Sequence, residues 1–160
     1  MRLNKIVLAV IALCAIACSP EGGGNSSANT TKWESEGSVI GEWELTSFSN
    51  SNEARPRVYL ELKENGEFEM YQQAFSMKWE HFKGSFTYNG TTISGKYSDE
   101  KPWSTEYAVS FAEEPTRLRL INTANDKEVS IYNECEIPDS VIDEAREPES
   151  VRSATVKRFL

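Results

Sequence analysis

The sequence is poor in the residues that carry most enzyme and metal chemistry. It has one histidine, His81, and three cysteines, Cys14, Cys18 and Cys135. A metal centre usually gathers several His, Cys or carboxylate ligands, and a lone histidine does not supply them. A Ser–His–Asp arrangement has no support beyond the presence of those residue types. Cys135 would be a nucleophile only beside an activating base. A small apolar packing group at a strand end is the simpler reading. Basic residues are also outnumbered, 17 Lys+Arg against 25 Asp+Glu, for a formal net charge of −8. With no basic stripe to override that field, nucleic acid is not an expected partner. The adjacent carboxylates Asp99-Glu100 and Glu113-Glu114 read as solvated turn charges, and Glu61 and Glu69 as solubilising outward residues. No catalytic residue, metal or cofactor is expected, and the chain reads as a non-enzyme.

What is present begins with an address. Arg2 and Lys5 precede an apolar run from Ile6 to Ala17. That run falls short of the about 20 residues a ~30 Å bilayer core requires. It suits a signal peptide over residues 1–17. The run closes on Ala15-Ile16-Ala17-Cys18, which resembles the lipobox of bacterial lipoproteins. That resemblance implies cleavage before Cys18, a diacylglyceryl thioether on its sulfur and acylation of the new amino terminus. Palmitate-class chains would then hold the protein to a membrane, at ~0.8 kcal/mol per buried methylene. The implied location is the envelope of a Gram-negative bacterium, lipid-anchored at the outer membrane, on its periplasmic or surface face. Ordinary cleavage after Ala17 would instead leave a soluble periplasmic protein. With Cys14 removed and Cys18 lipidated, Cys135 stands alone and no disulfide framework is possible. Residues 18–38 then serve as lipidated cysteine and tether. The Gly-, Ser- and Asn-rich part from Ser19 to Lys32 has a reach of roughly 20 Å.

The folded region is organised around Val39 to Ser49. Trp43 and Leu45, with Ser47 next in phase, share one face and alternate with Glu42, Glu44 and Thr46. Such alternation marks a half-buried strand. Further alternating segments follow: 57–63, 67–73, 84–88, 91–98, 103–112, 116–122 and 127–134. Glu64-Asn65-Gly66-Glu67 and Asn89-Gly90 carry the residues that two-residue hairpin turns require. Short strands at even spacing predict an all-β fold: a small antiparallel up-and-down barrel of about eight strands over residues 39–136, seven or nine remaining open. Closing the sheet removes its exposed edges. Trp43 plugs one end. Residues 137–160 form a C-terminal helical segment and tail. Asp139 or Ser140 caps the helix, Val141, Ile142 and Ala145 face the wall, and 149–160 is either a second helix or a disordered tail.

The Gly41-Glu42-Trp43-Glu44-Leu45 stretch resembles the Gly-x-Trp signature that opens the first strand of lipocalins. Over Ile40 to Asp143 the chain resembles bacterial lipocalin-like domain lipoproteins. The resemblance implies a barrel that Gly41 and Trp43 help to close. In that family an arginine packs over the tryptophan; Arg117, Arg119 and Arg146 are the candidates. From the residues themselves, Phe68, Met70, Phe86, Tyr88, Tyr107 and Phe111 are candidates to line a ligand cavity, the tyrosines offering hydroxyls. The same residues would equally fill a solid core. Phe75, Met77, Trp79 and Phe82 form a lid, a partner-binding patch or ordinary core, and Trp33 lies either on the barrel or in solvent. The sequence therefore predicts a lipid-anchored barrel that binds a small apolar or amphipathic molecule. The alternative is an envelope module with a filled core that holds a protein or glycan.

Overall fold

The computed structural model describes residues 31–48, 56–113, 116–148 and 157–160. The expected signal peptide, Cys14, Cys18 and most of the expected tether lie outside the described residues, as does 149–156.

Eight antiparallel strands close into a barrel in sequence order. They are β1 (Gly41–Phe48), β2 (Arg57–Leu62), β3 (Glu67–Gln73), β4 (Glu80–Tyr88), β5 (Thr92–Tyr97), β6 (Tyr107–Ala112), β7 (Arg117–Asn122) and β8 (Val129–Glu134), followed by the helix α1 (Asp139–Glu144). Closure comes from β1 pairing with both β2 and β8. The expected hairpin signals are used as turns. Gly66 and Gly90 take φ of +80° and +96°. Asn65 Oδ1 accepts from the Glu67 N–H, and Asn89 Oδ1 from the Thr91 and Thr92 N–H groups.

The cross-strand register stacks the interior in rows. Trp43, Leu60, Met70 and Phe82 form one, and Leu45, Tyr132, Leu118 and Phe111 another. All eight are buried. β1 departs from the strict alternation. A register shift between Leu45 and Ser47 turns Phe48, rather than Ser47, toward the core. Such a bulge inserts one residue and reverses the phase beyond it.

The β2–β3, β4–β5 and β6–β7 connections lie at one end with the start of β1; the other four connections ring the opposite end. Toward the first end Trp43 is buried, donating from Nε1 to the Val39 carbonyl at 2.9 Å. Gly41, at φ +148°, lies against the indole. Closure also recruits residues before 39. Glu34 pairs with Phe111, whose ring packs on Gly37. Trp33 lies on the wall beneath the Arg119 guanidinium, 4.4 Å from its centroid, with Arg117 at 5.6 Å. Those two arginines thus cover Trp33, not Trp43.

The outer wall holds a second apolar cluster. Tyr59 and Tyr71, on the outward phase of β2 and β3, are buried under Trp79, Ile137, Val141 and Ala145. Ile137, Val141 and Ala145 recur every fourth residue, so only that stripe of the short helix meets the wall. Ile142 is off the stripe and is exposed. The expected side-chain cap does not form: Pro138 is the N-cap and its main chain serves.

Candidate functional site

The end opposite Trp43 is built from the last residues of β1, β3 and β5 and the first of β4. It holds a segment that belongs to no strand: residues 157–160 lie in the opening, with Leu160 buried in the interior cluster. The contacts are specific. Gln72 is fully buried on the inward phase of β3. Its Nε2 donates to the Lys157 carbonyl at 2.9 Å, and its Oε1 accepts from the Phe159 N–H at 3.0 Å. Glu80 Oε2 accepts from the same Nε2 at 2.9 Å and fixes the amide's orientation. Tyr97 donates from Oη to the Leu160 main-chain oxygen at 2.7 Å. Phe159 meets Phe48 edge-on at 5.2 Å. Arg158 spans the rim. Its Nη1 and Nη2 donate to Asp99 Oδ1 and Oδ2 at 3.1 and 2.6 Å, while the guanidinium covers the Tyr97 ring at 4.3 Å.

The electrostatics follow from these contacts. The Arg158 hydrogen bonds hold the Asp99 carboxyl down at about 2, with Lys101 assisting and partial burial opposing. An unfolded aspartate titrates near 3.9. A depressed folded value means the pair stabilises the docked segment above about pH 4 and fails as pH drops toward 2. Hydrogen-exchange protection of the Phe159 amide, corrected for intrinsic rates, should therefore be flat above pH 4 and fall below it. Protection unchanged down to pH 2 would separate docking from Asp99.

Deeper in, polar groups are left without partners. Tyr132 Oη and Trp103 Nε1 are buried and meet no hydrogen-bond partner among the described residues. A weak hydrogen-bonding influence of Ser130 opposes part of the rise at Tyr132, but no bond of full geometry forms. Burial raises the Tyr107 hydroxyl and pushes those of Tyr97 and Tyr132 well above the usual range, so all three stay protonated donors. A buried donor with no acceptor costs about 1–3 kcal/mol, which a bound acceptor would relieve.

Of the six sequence-derived candidates, Phe68, Met70, Phe86, Tyr107 and Phe111 are buried in the interior cluster, and Tyr88 is partly buried against it. They do not gather at one place. Phe111 sits near the closed end, and the Tyr88 hydroxyl turns to its own hairpin, donating to the Gly90 carbonyl. Tyr107 shares a hydrogen bond with Ser104. The aromatic 75–82 segment divides: Phe82 faces the interior and Trp79 the outer cluster, while Phe75 and Met77 are exposed. Lys157 Nζ lies over the Phe75 ring at 5.8 Å. Sequence reasoning missed Asp99 as a rim group and gave Gln72 no role. An amide on the inward phase of a strand was the one available signal.

Two other polar regions are internally paired. On the outer wall Glu69 takes contacts from Lys63, Tyr71 and His81 at 2.6, 2.9 and 2.8 Å, and His81 stacks flat on Tyr71. Burial alone would raise the Glu69 carboxyl, but Lys63 and Tyr71 reverse it and hold it below the usual range. Beside it a groove of about 430 Å³ is lined by Glu67, Lys83, Lys96 and Glu100 among others. Its lysines pair with Glu147 and Glu100. Cys135, next to Glu42 and Glu44, has its thiol pushed up to about 11, chiefly by burial. Among the described residues no three His, Cys, Asp or Glu side chains cluster to hold a metal ion.

Compared with protein-family models and with curated proteins, the chain matches none.

Proposed function

We propose that the protein is a lipid-anchored, non-enzymatic barrel of the bacterial envelope, lipocalin-like, whose open end takes a small apolar or amphipathic molecule. One observation carries this reading: the barrel end opposite Trp43 already accommodates a buried aliphatic side chain from outside the strands, and Gln72 and Tyr97 bond to the segment bearing it. An eight-stranded barrel has interior room for side chains or for one small ligand. Burial of apolar ligand surface would supply ~25 cal/mol per Å². The unpartnered Tyr132 hydroxyl and Trp103 indole N–H add donors for a polar group on that ligand. Native mass spectrometry of protein taken from its envelope without solvent extraction should show a reproducible adduct that extraction removes. Bare protein in every preparation would defeat the reading.

Anchoring is proposed at Cys18, with removal of residues 1–17. Cys18→Ala should move the protein from the membrane fraction to the soluble fraction. Unchanged fractionation would rule out the thioether.

A further inference from the structure

We infer that the open end is a recognition site for a short extended peptide of the pattern basic–aromatic–aliphatic, and that residues 158–160, Arg-Phe-Leu, are its resident occupant, which such a peptide from another chain displaces. This deepens the proposed function by naming the amphipathic ligand, and it rests on the open end being a binding site.

Three observations converge. First, Gln72 reads main chain. Its amide accepts from one peptide N–H and donates to a carbonyl two residues earlier, and Glu80 holds it in that orientation. Alkyl chains offer neither group; any extended peptide offers both. Second, the rim is selective for a cation. Asp99 faces the Tyr97 and Phe82 rings across the Arg158 guanidinium, which lies 4.3 and 5.5 Å from them. A carboxylate and two ring faces attract a guanidinium or ammonium and repel a fatty-acid head group. Third, the interior beyond Tyr97 takes an aliphatic end, as the burial of Leu160 demonstrates. The resident is also an imperfect occupant. Arg158 Nε is buried with no hydrogen-bond partner among the described residues. That leaves a competing peptide room to improve on it.

The test uses the chain lacking residues 157–160 or, where circular dichroism shows that chain unfolded, the full-length Leu160→Ala variant with its weakened occupant, and a fluorescein-labelled peptide Lys-Arg-Phe-Leu. Fluorescence anisotropy should show saturable binding at least tenfold tighter than to the full chain. Lys-Glu-Phe-Leu should bind at least tenfold more weakly than Lys-Arg-Phe-Leu, and Asp99→Asn should remove most of that difference. Gln72→Leu, which keeps the apolar contacts, should weaken both peptides alike. Dodecanoate and dodecyltrimethylammonium serve as non-peptide competitors. If the folded variant binds dodecanoate or the ammonium but neither peptide, the inference is overturned while the open end still stands as a binding site. If it binds nothing, both fail. Equal affinity for the two peptides also overturns the inference.

Discussion

Replacing Trp43 by alanine should lower the unfolding free energy by about 4 kcal/mol, within the ~3–5 kcal/mol range for losing a buried tryptophan or phenylalanine. Trp43 is 1 % exposed and heads the row that continues through Leu60, Met70 and Phe82. Its removal opens a void that no neighbour is free to fill, because strand spacing fixes the row. The change also strands the Val39 carbonyl, which takes the indole hydrogen bond. Trp43→Phe separates the two effects: it keeps most of the volume and should cost nearer to 1–3 kcal/mol, chiefly the lost bond and the smaller ring. Urea denaturation followed by circular dichroism measures both, with the slope unchanged if only stability has moved. A loss below 1 kcal/mol for the alanine variant would mean that Trp43 does not close this barrel. For a domain with a typical 5–15 kcal/mol of stability, the alanine change leaves little margin.

The second large effect is expected from adding one methyl. Gly84 stands on the inward phase of β4 between Phe82 and Phe86, in the row Leu62, Phe68, Gly84, Tyr97. A Cβ there would overlap the Lys96 carbonyl oxygen and come within 2.8 Å of both the Phe68 ring and the Tyr97 Cα. Two of these obstacles are backbone of the adjacent strand, so no rotamer change relieves them. Gly84→Ala should therefore cost at or above the upper end of the roughly 1–3 kcal/mol typical of overpacking. Gly90→Ala is the contrast. Its Cβ would meet nothing within 4 Å, and only the positive φ is strained. That strain costs about 1–2 kcal/mol. If Gly84→Ala proves no worse than Gly90→Ala, the close approach of β4 to β5 is not a feature of the folded protein.

Gly95 makes the same point by another route and shows why part of the barrel was readable and part was not. The period-2 pattern places Ile93 and Tyr97 inward, and a glycine between them suggests a bend. What occupies the vacated space is Trp103, whose ring would lie 2.5 Å from a Cβ at residue 95. Alternation and Asn-Gly turns are local signals, so strand order, both tight hairpins and most of the inward phase could be read from the residues. The reversal of phase at Ser47 could not, because a bulge leaves no mark in the alternation before it. Burial of Tyr59 and Tyr71 depends on a helix more than sixty residues away. Alternation alone makes Glu69 a solubilising residue; Tyr71 is its neighbour two residues along β3, but Lys63 and His81 reach it only when β2 and β4 flank β3. The rim is the extreme case: Gln72 meets Phe159 across 87 residues, and nothing in the local pattern of either marks the other.

A single titration bears on the central claim that this barrel end is a binding site held by residues 157–160. The neutral apolar dye N-phenyl-1-naphthylamine is added to the full chain and to the chain without that segment. The shortened, folded chain should take up one dye per molecule with at least tenfold higher affinity than the full chain. Equal affinities, or no saturable uptake by either, would contradict the claim.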